Sequence, residues 1–239
     1  MNQFKPAETF ILHHKTAAMQ RLADLVRTGH RFHVSGTVSP EKVQGLAKKF
    51  TGLYQTNQTR LQASRQRKTG EASFRLLLQG KPDATEIRWW LLRTDGEMPE
   101  AAKKENWADA TQRGQHIEWD GYELVRHTRE GANNPSWSWR YTKEQEASLR
   151  DGLVNAIRTH RDDHLRQLID SIHRTPGFAL AREQVKKMRK LITDEWKRRG
   201  RDGAPPEMPG RVGYVQRLAD VGHRVGATKD RKRGVRRVK

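Results

Sequence analysis

From Thr142 to Gly200, apolar residues recur at three- and four-residue spacing on both sides of Thr175-Pro176-Gly177, and this pattern constrains the fold more than any other stretch. Leu149, Leu153, Ile157, Leu165, Leu168, Ile169 and Ile172 line one face of a first helix. Thr142 and Gln145 stand three apart ahead of it, the spacing of a capping box. Pro176 cannot continue that helix, since it has no N–H and its ring clashes with the preceding turn, but it suits the first turn of another. Thr175 is thereby predicted as the second N-cap. In the second helix Phe178, Ala181, Val185, Met188, Ile192 and Trp196 fall on one stripe. Two such stripes can bury each other, so the spacing predicts an αα-hairpin over 142–200.

The second helix carries a further arc. Arg182, Lys186, Arg189, Lys190 and Lys197 adjoin the apolar stripe, with Arg198 and Arg199 nearby. Glu183–Lys187 and Glu195–Arg199 pairs would make this an ordinary solvated face. The whole-chain balance argues for more: 47 Lys and Arg against 28 Asp and Glu give a formal net charge of +19. Like charges repel in a compact state, and a polyanion relieves that repulsion while releasing its own counterions. The leading partner is therefore nucleic acid.

Before the hairpin the chain alternates helix and strand signals. Leu12, Met19, Leu22, Leu25 and Val26 mark a helix over about 7–28, closed by Gly29. Phe32, Val34 and Val38 alternate with polar residues as a strand, and Ser39-Pro40-Glu41 starts a helix through Tyr54. Residues 55–70 turn polar and carry Arg60, Arg65, Arg67 and Lys68 without an acid, which predicts a cationic loop or helix extension. Strands over 72–79 and 85–94 flank the turn Gly80-Lys81-Pro82-Asp83, with Phe74, Leu76, Leu78, Ile87, Trp89 and Leu91 on one face. Residues 95–115 read as a loop with a short helix. Asp120-Gly121 marks a two-residue hairpin, and Trp137, Trp139 and Tyr141 alternate in the strand that leads into the helices.

These elements predict an α+β fold, with a mainly antiparallel sheet, helices packed on one side, and the αα-hairpin at the end. Residues 1–200 are expected to form one domain. Residues 201–239 lose periodicity and end in Arg231, Lys232, Arg233, Arg236 and Arg237, so they read as a basic, disordered tail. The lack of a leader pattern and of any run near the roughly 20 apolar residues that span a bilayer predicts a cytoplasmic protein with no membrane partner.

Chemistry leaves few marks. With no cysteine, thiolate zinc sites and cysteine nucleophiles are excluded. His160 and His164 lie four apart, at ligand spacing on a helix, but lack a third ligand, so neither metal nor cofactor is expected. An exposed sheet face showing Arg88, Trp90 and Arg140 would stack on unpaired bases. The reading is nucleic-acid binding mainly through phosphate contacts, from the basic helix, the 60–68 segment and the tail. Structured or single-stranded RNA is favoured by a small margin over duplex DNA. One alternative is a metal-independent endoribonuclease using His33 or His127 as acid–base groups. Another is a scaffold that meets other proteins of a nucleoprotein complex.

Overall fold

The computed structural model describes residues 9–128, 131 and 133–226. It is an α+β protein whose chain divides into two compact units, 1–116 with 217–239, and 117–216.

The first unit is built on a six-stranded mixed sheet in the order β5-β2-β4-β3-β1-β9. Strands β2 (Phe32–Val38), β4 (Ile87–Arg93) and β3 (Phe74–Gln79) pair antiparallel at its centre. Phe74 and Leu91 pack with Phe50 and Tyr54 of helix α2 (Val43–Tyr54), joined by half-buried Val34, Leu76 and Trp89. Full burial of such side chains contributes about 1.5–3 kcal/mol each. The alternate residues Leu77, Trp90 and Leu92 are buried too. Helix α1 (Lys15–Arg27) packs against β3 and β1 (Phe10–Leu12).

Strand β1 occupies residues that the helical spacing places at the start of α1. Three residues are too few to display a period, and what makes them a strand is non-local: β1 pairs parallel with β3 and antiparallel with β9 (Gly222–Arg224). Residues 55–70 contain α3 (Arg60–Lys68), opened by a complete capping box between Thr59 and Gln62. The single-turn α4 (Glu100–Lys103) and the two-residue β5 (Ala108–Asp109) complete this unit.

In the second unit β6 (Ile117–Trp119), β7 (Tyr122–His127) and β8 (Ser136–Tyr141) form an antiparallel sheet. Asp120 and Gly121 turn the first hairpin with φ of 46° and 78°, as a type I′ turn demands. Three helices follow instead of a hairpin: α5 (Lys143–Arg158), α6 (Asp162–His173) and α7 (Ala179–Arg198). The long first helix breaks because His160 adopts a left-handed φ of 56°, which also takes His160 and His164 off a common helix. Leu153, Ile157, Leu165, Ile169, Ile172 and Ile192 still share one buried cluster, so the apolar stripe survives the break. Thr142 caps α5 by accepting from the Gln145 N–H at 3.2 Å. Thr175 caps nothing: it is buried, with its hydroxyl against that of Tyr141, and α7 begins after Phe178.

Residues 201–226 are not a free tail. Trp196 Nε1 donates to the Gly203 carbonyl at 3.2 Å, and Val215 N–H donates to that of Gly177 at 3.0 Å. From Arg217 onward the chain belongs to the first unit, where Arg21 pairs with Asp220 at 2.7 Å and Leu218 N–H donates to Gln20 at 3.0 Å. Arg231, Lys232, Arg233, Arg236 and Arg237 lie outside the described residues.

Candidate nucleic-acid interface

Helix α7 divides its residues by face. Ala181, Val185, Met188, Ile192 and Trp196 are buried. Buried Gln184 fixes the helix to β8 by accepting from Tyr141 N–H at 2.7 Å and donating to its carbonyl at 3.2 Å. With those residues committed inward, the geometry of the helix turns the cations outward.

Residues 208–214 return alongside that outer face. Gly177 makes the approach possible, since a Cβ there would sit 1.9 Å from the Gly213 carbonyl oxygen. Arg182 Nε donates to the Val212 carbonyl at 2.7 Å, and its guanidinium lies 3.5 Å from the centre of the Tyr214 ring. Arg189 donates to the carbonyls of Pro209 and Gly210 and to His173 Nε2. His173 Nδ1 faces the Ile169 carbonyl at 2.8 Å; a proton there leaves Nε2 as the acceptor for Arg189.

Between the helix and the returning segment lies a groove of about 530 Å³. Arg182, Lys186, Arg189, Lys190 and Arg211 line it against two acids, Glu183 and Asp194. Lys186 and Lys190 are exposed and take part in no ion pair among the described residues. Tyr214 is 67% exposed, the most exposed large hydrophobic residue described.

Toward its C-terminal end α7 differs. Buried Glu195 accepts from Arg158 at 2.7 Å and from Arg198, with Arg199 at 3.6 Å. The hydrogen bond from Arg158 and then that from Arg198 hold its carboxyl below the usual glutamate range, against the opposing effect of burial. Arg198 and Arg199 are thus partly neutralised within the fold, whereas Lys197 is exposed.

The other predicted positions scatter. Arg60, Arg65, Arg67 and Lys68 are exposed on α3. Trp90 is 1% exposed, so it offers no stacking surface, because both faces of the central strands are covered. Arg140 pairs across the strands with Glu123 at 2.8 Å, and Arg88 is half-buried opposite Thr37 and Gln79. The exposed cation–aromatic sheet face expected from the alternation is therefore not present.

Both candidate catalytic histidines are partly or wholly enclosed by the fold. His33 is buried, with Nε2 3.0 Å from the Gln115 carbonyl; burial above all lowers its pKa. His127 is half-buried, its Nε2 3.2 Å from Ser136 Oγ. Among the described residues no three His, Asp or Glu side chains gather as metal ligands, and no helix is long and apolar enough to cross a membrane.

Sequence reasoning missed Arg211 and Tyr214. A usable signal existed in Gly210-Arg211-Val212-Gly213-Tyr214, where an aromatic and a cation stand among glycines outside any periodic segment. No protein-family model matches the chain, and no curated protein or solved structure matches it either.

Proposed function

We propose that this protein binds nucleic acid through the α7 groove, and that its preferred ligand is a single strand, RNA ahead of duplex DNA. The observation that carries this reading is the groove itself, five cations beside an exposed tyrosine. Cations at successive helical turns can follow a phosphate backbone, and an aromatic ring beside them can stack on an unpaired base of any identity. The preference for a single strand no longer rests on the sheet. It rests on the returning segment, which occupies Arg182 and Arg189 and lies along the face that a duplex major groove would have to receive. Lys186 and Lys190 remain available for phosphates.

Fluorescence anisotropy of a labelled single-stranded RNA across a salt series tests the proposal. The log–log slope should be several units, since each phosphate neutralised on a single strand contributes about −0.7. A flat salt response would sink it. Unlabelled duplex DNA of equal length should compete less well than single-stranded RNA; equal or stronger competition would reverse the ligand preference. The final cations are tested by ending the chain after Gly226, which keeps β9 in place. Affinity should then fall evenly across sequences, because backbone contacts carry little base information.

A further inference from the structure

Positive charge also gathers in the first unit, on residues that take no part in the groove. Arg60 and Arg67 lie two turns apart on the α3 face that buries Ala63, and their charges, after burial as the main cause, depress the proton affinity of Arg75 on β3. Arg75 Nη1 donates to the Gln58 carbonyl at 2.8 Å, which anchors its guanidinium just ahead of α3. None of the three arginines has a carboxylate partner among the described residues.

Their charge also reaches a buried imidazole. His30 is 3% exposed, and neither ring nitrogen completes a hydrogen bond. Burial, then the charges of Arg75 and Arg67, lower its pKa to about 4, with the Leu25 carbonyl only partly offsetting them. Gln58 Oε1, Gln66 Oε1 and Ser73 Oγ, two residues before Arg75, are also buried without partners. Buried polar atoms are costly when unmatched, so such a concentration marks a place where a polar group fits.

We propose that Arg60, Arg67 and Arg75, with His30 behind them, form a seat for a single phosphoryl group in the first unit. Guanidinium forks match phosphate oxygens two at a time, and a dianion turns the mutual repulsion of three cations into attraction. The neutral imidazole carries one N–H that can donate to a phosphate oxygen. Two sources carry the same chemistry: free inorganic phosphate, and the terminal phosphate of a nucleic-acid strand. The seat uses no groove residue and stands or falls apart from the proposed function.

Calorimetric titration of the full chain with inorganic phosphate, in a chloride buffer of matched ionic strength, should find one site per chain. Arg67→Gln, a change at an exposed helical position, should weaken it about tenfold, the equivalent of one charge-assisted contact. Arg75→Lys keeps the charge but removes the fork and should weaken it comparably, whereas Lys186→Glu in the groove should leave it unchanged. Absence of saturable binding, indifference to both arginine changes, or loss with Lys186→Glu would each overturn the seat. Paired oligonucleotides with a 5′-phosphate or a 5′-hydroxyl identify the source. Tighter binding of the phosphorylated strand, abolished by Arg67→Gln, assigns the strand end; equal binding alongside a retained phosphate site assigns free phosphate.

Discussion

The groove on α7 and the cluster around Arg75 are both cationic, and they are held in opposite ways. In the groove Lys186 and Lys190 stand in water, interleaved with Glu183 and Asp194, and the helix is fixed by what it buries on its other side. Around Arg75, strand and helix press like charges together beside a histidine that must stay neutral. Groove charges can therefore change with little effect on folding, while those of the cluster weigh on stability directly. A count of lysines and arginines treats the two as equal.

The largest expected effect lies in the cluster and depends on pH. His30 titrates near 6.5 when unfolded and at about 4 when folded. Below 6.5 the unfolded chain takes up a proton that the folded chain refuses. The His30 contribution is thus complete above pH 6.5 and is lost as pH falls through about 4, by on the order of 3 kcal/mol. Urea unfolding at about pH 7.5 and pH 4.5 measures this best as a difference between wild type and His30→Gln, since His13, His33 and His223 are also shifted downward by burial. Identical pH dependence in the two proteins would refute the assignment to His30.

Next in size is the reversal of groove charge. Lys186→Glu with Lys190→Glu should weaken RNA binding on the order of twentyfold at about 0.1 M salt, while stability moves by no more than about 0.5 kcal/mol. A stability loss as large as the binding loss would erase the contrast between the two regions. Glu195→Gln should act in the reverse sense. Removing the charge that gathers Arg158, Arg198 and Arg199 should lower stability by roughly 1–2 kcal/mol and raise RNA affinity a few-fold. Unchanged affinity would mean that the C-terminal arginines of α7 do not reach the ligand. Tyr214→Ala is the mildest: single-stranded binding should weaken about fivefold, the low end for a base stacked on an aromatic ring, with duplex binding untouched.

How much of this could be read in advance depended on whether each element is specified locally. The hairpin at Asp120-Gly121 was legible because only a few residue types tolerate positive φ at both turn positions. The inward stripe of α7 was legible because five turns repeat it. The break at His160 was not, since neither Gly nor Pro marks it and the left-handed residue is a histidine. Helix α3 escaped because it buries only Ala63 and shows no apolar period. Strands β1 and β9, at three residues each, exist only through their partners. The site was blurred for a related reason: alternation in β4 placed Trp90 on the second face, but could not say that the face is covered. The 142–200 pattern did identify the groove helix, and could not foresee that Glu195 would draw in Arg158 from α5.

Strand β9 also imposes an order of events. It is the edge of the first sheet, yet 112 residues, Ala110 to Val221, separate β5 from it. On a ribosome that adds residues from the N-terminal end, the whole of 117–216 is made before β9 can reach β1. Until then β1 presents an open edge to the cell, and the second unit can complete its own local contacts while the first still waits for its last strand.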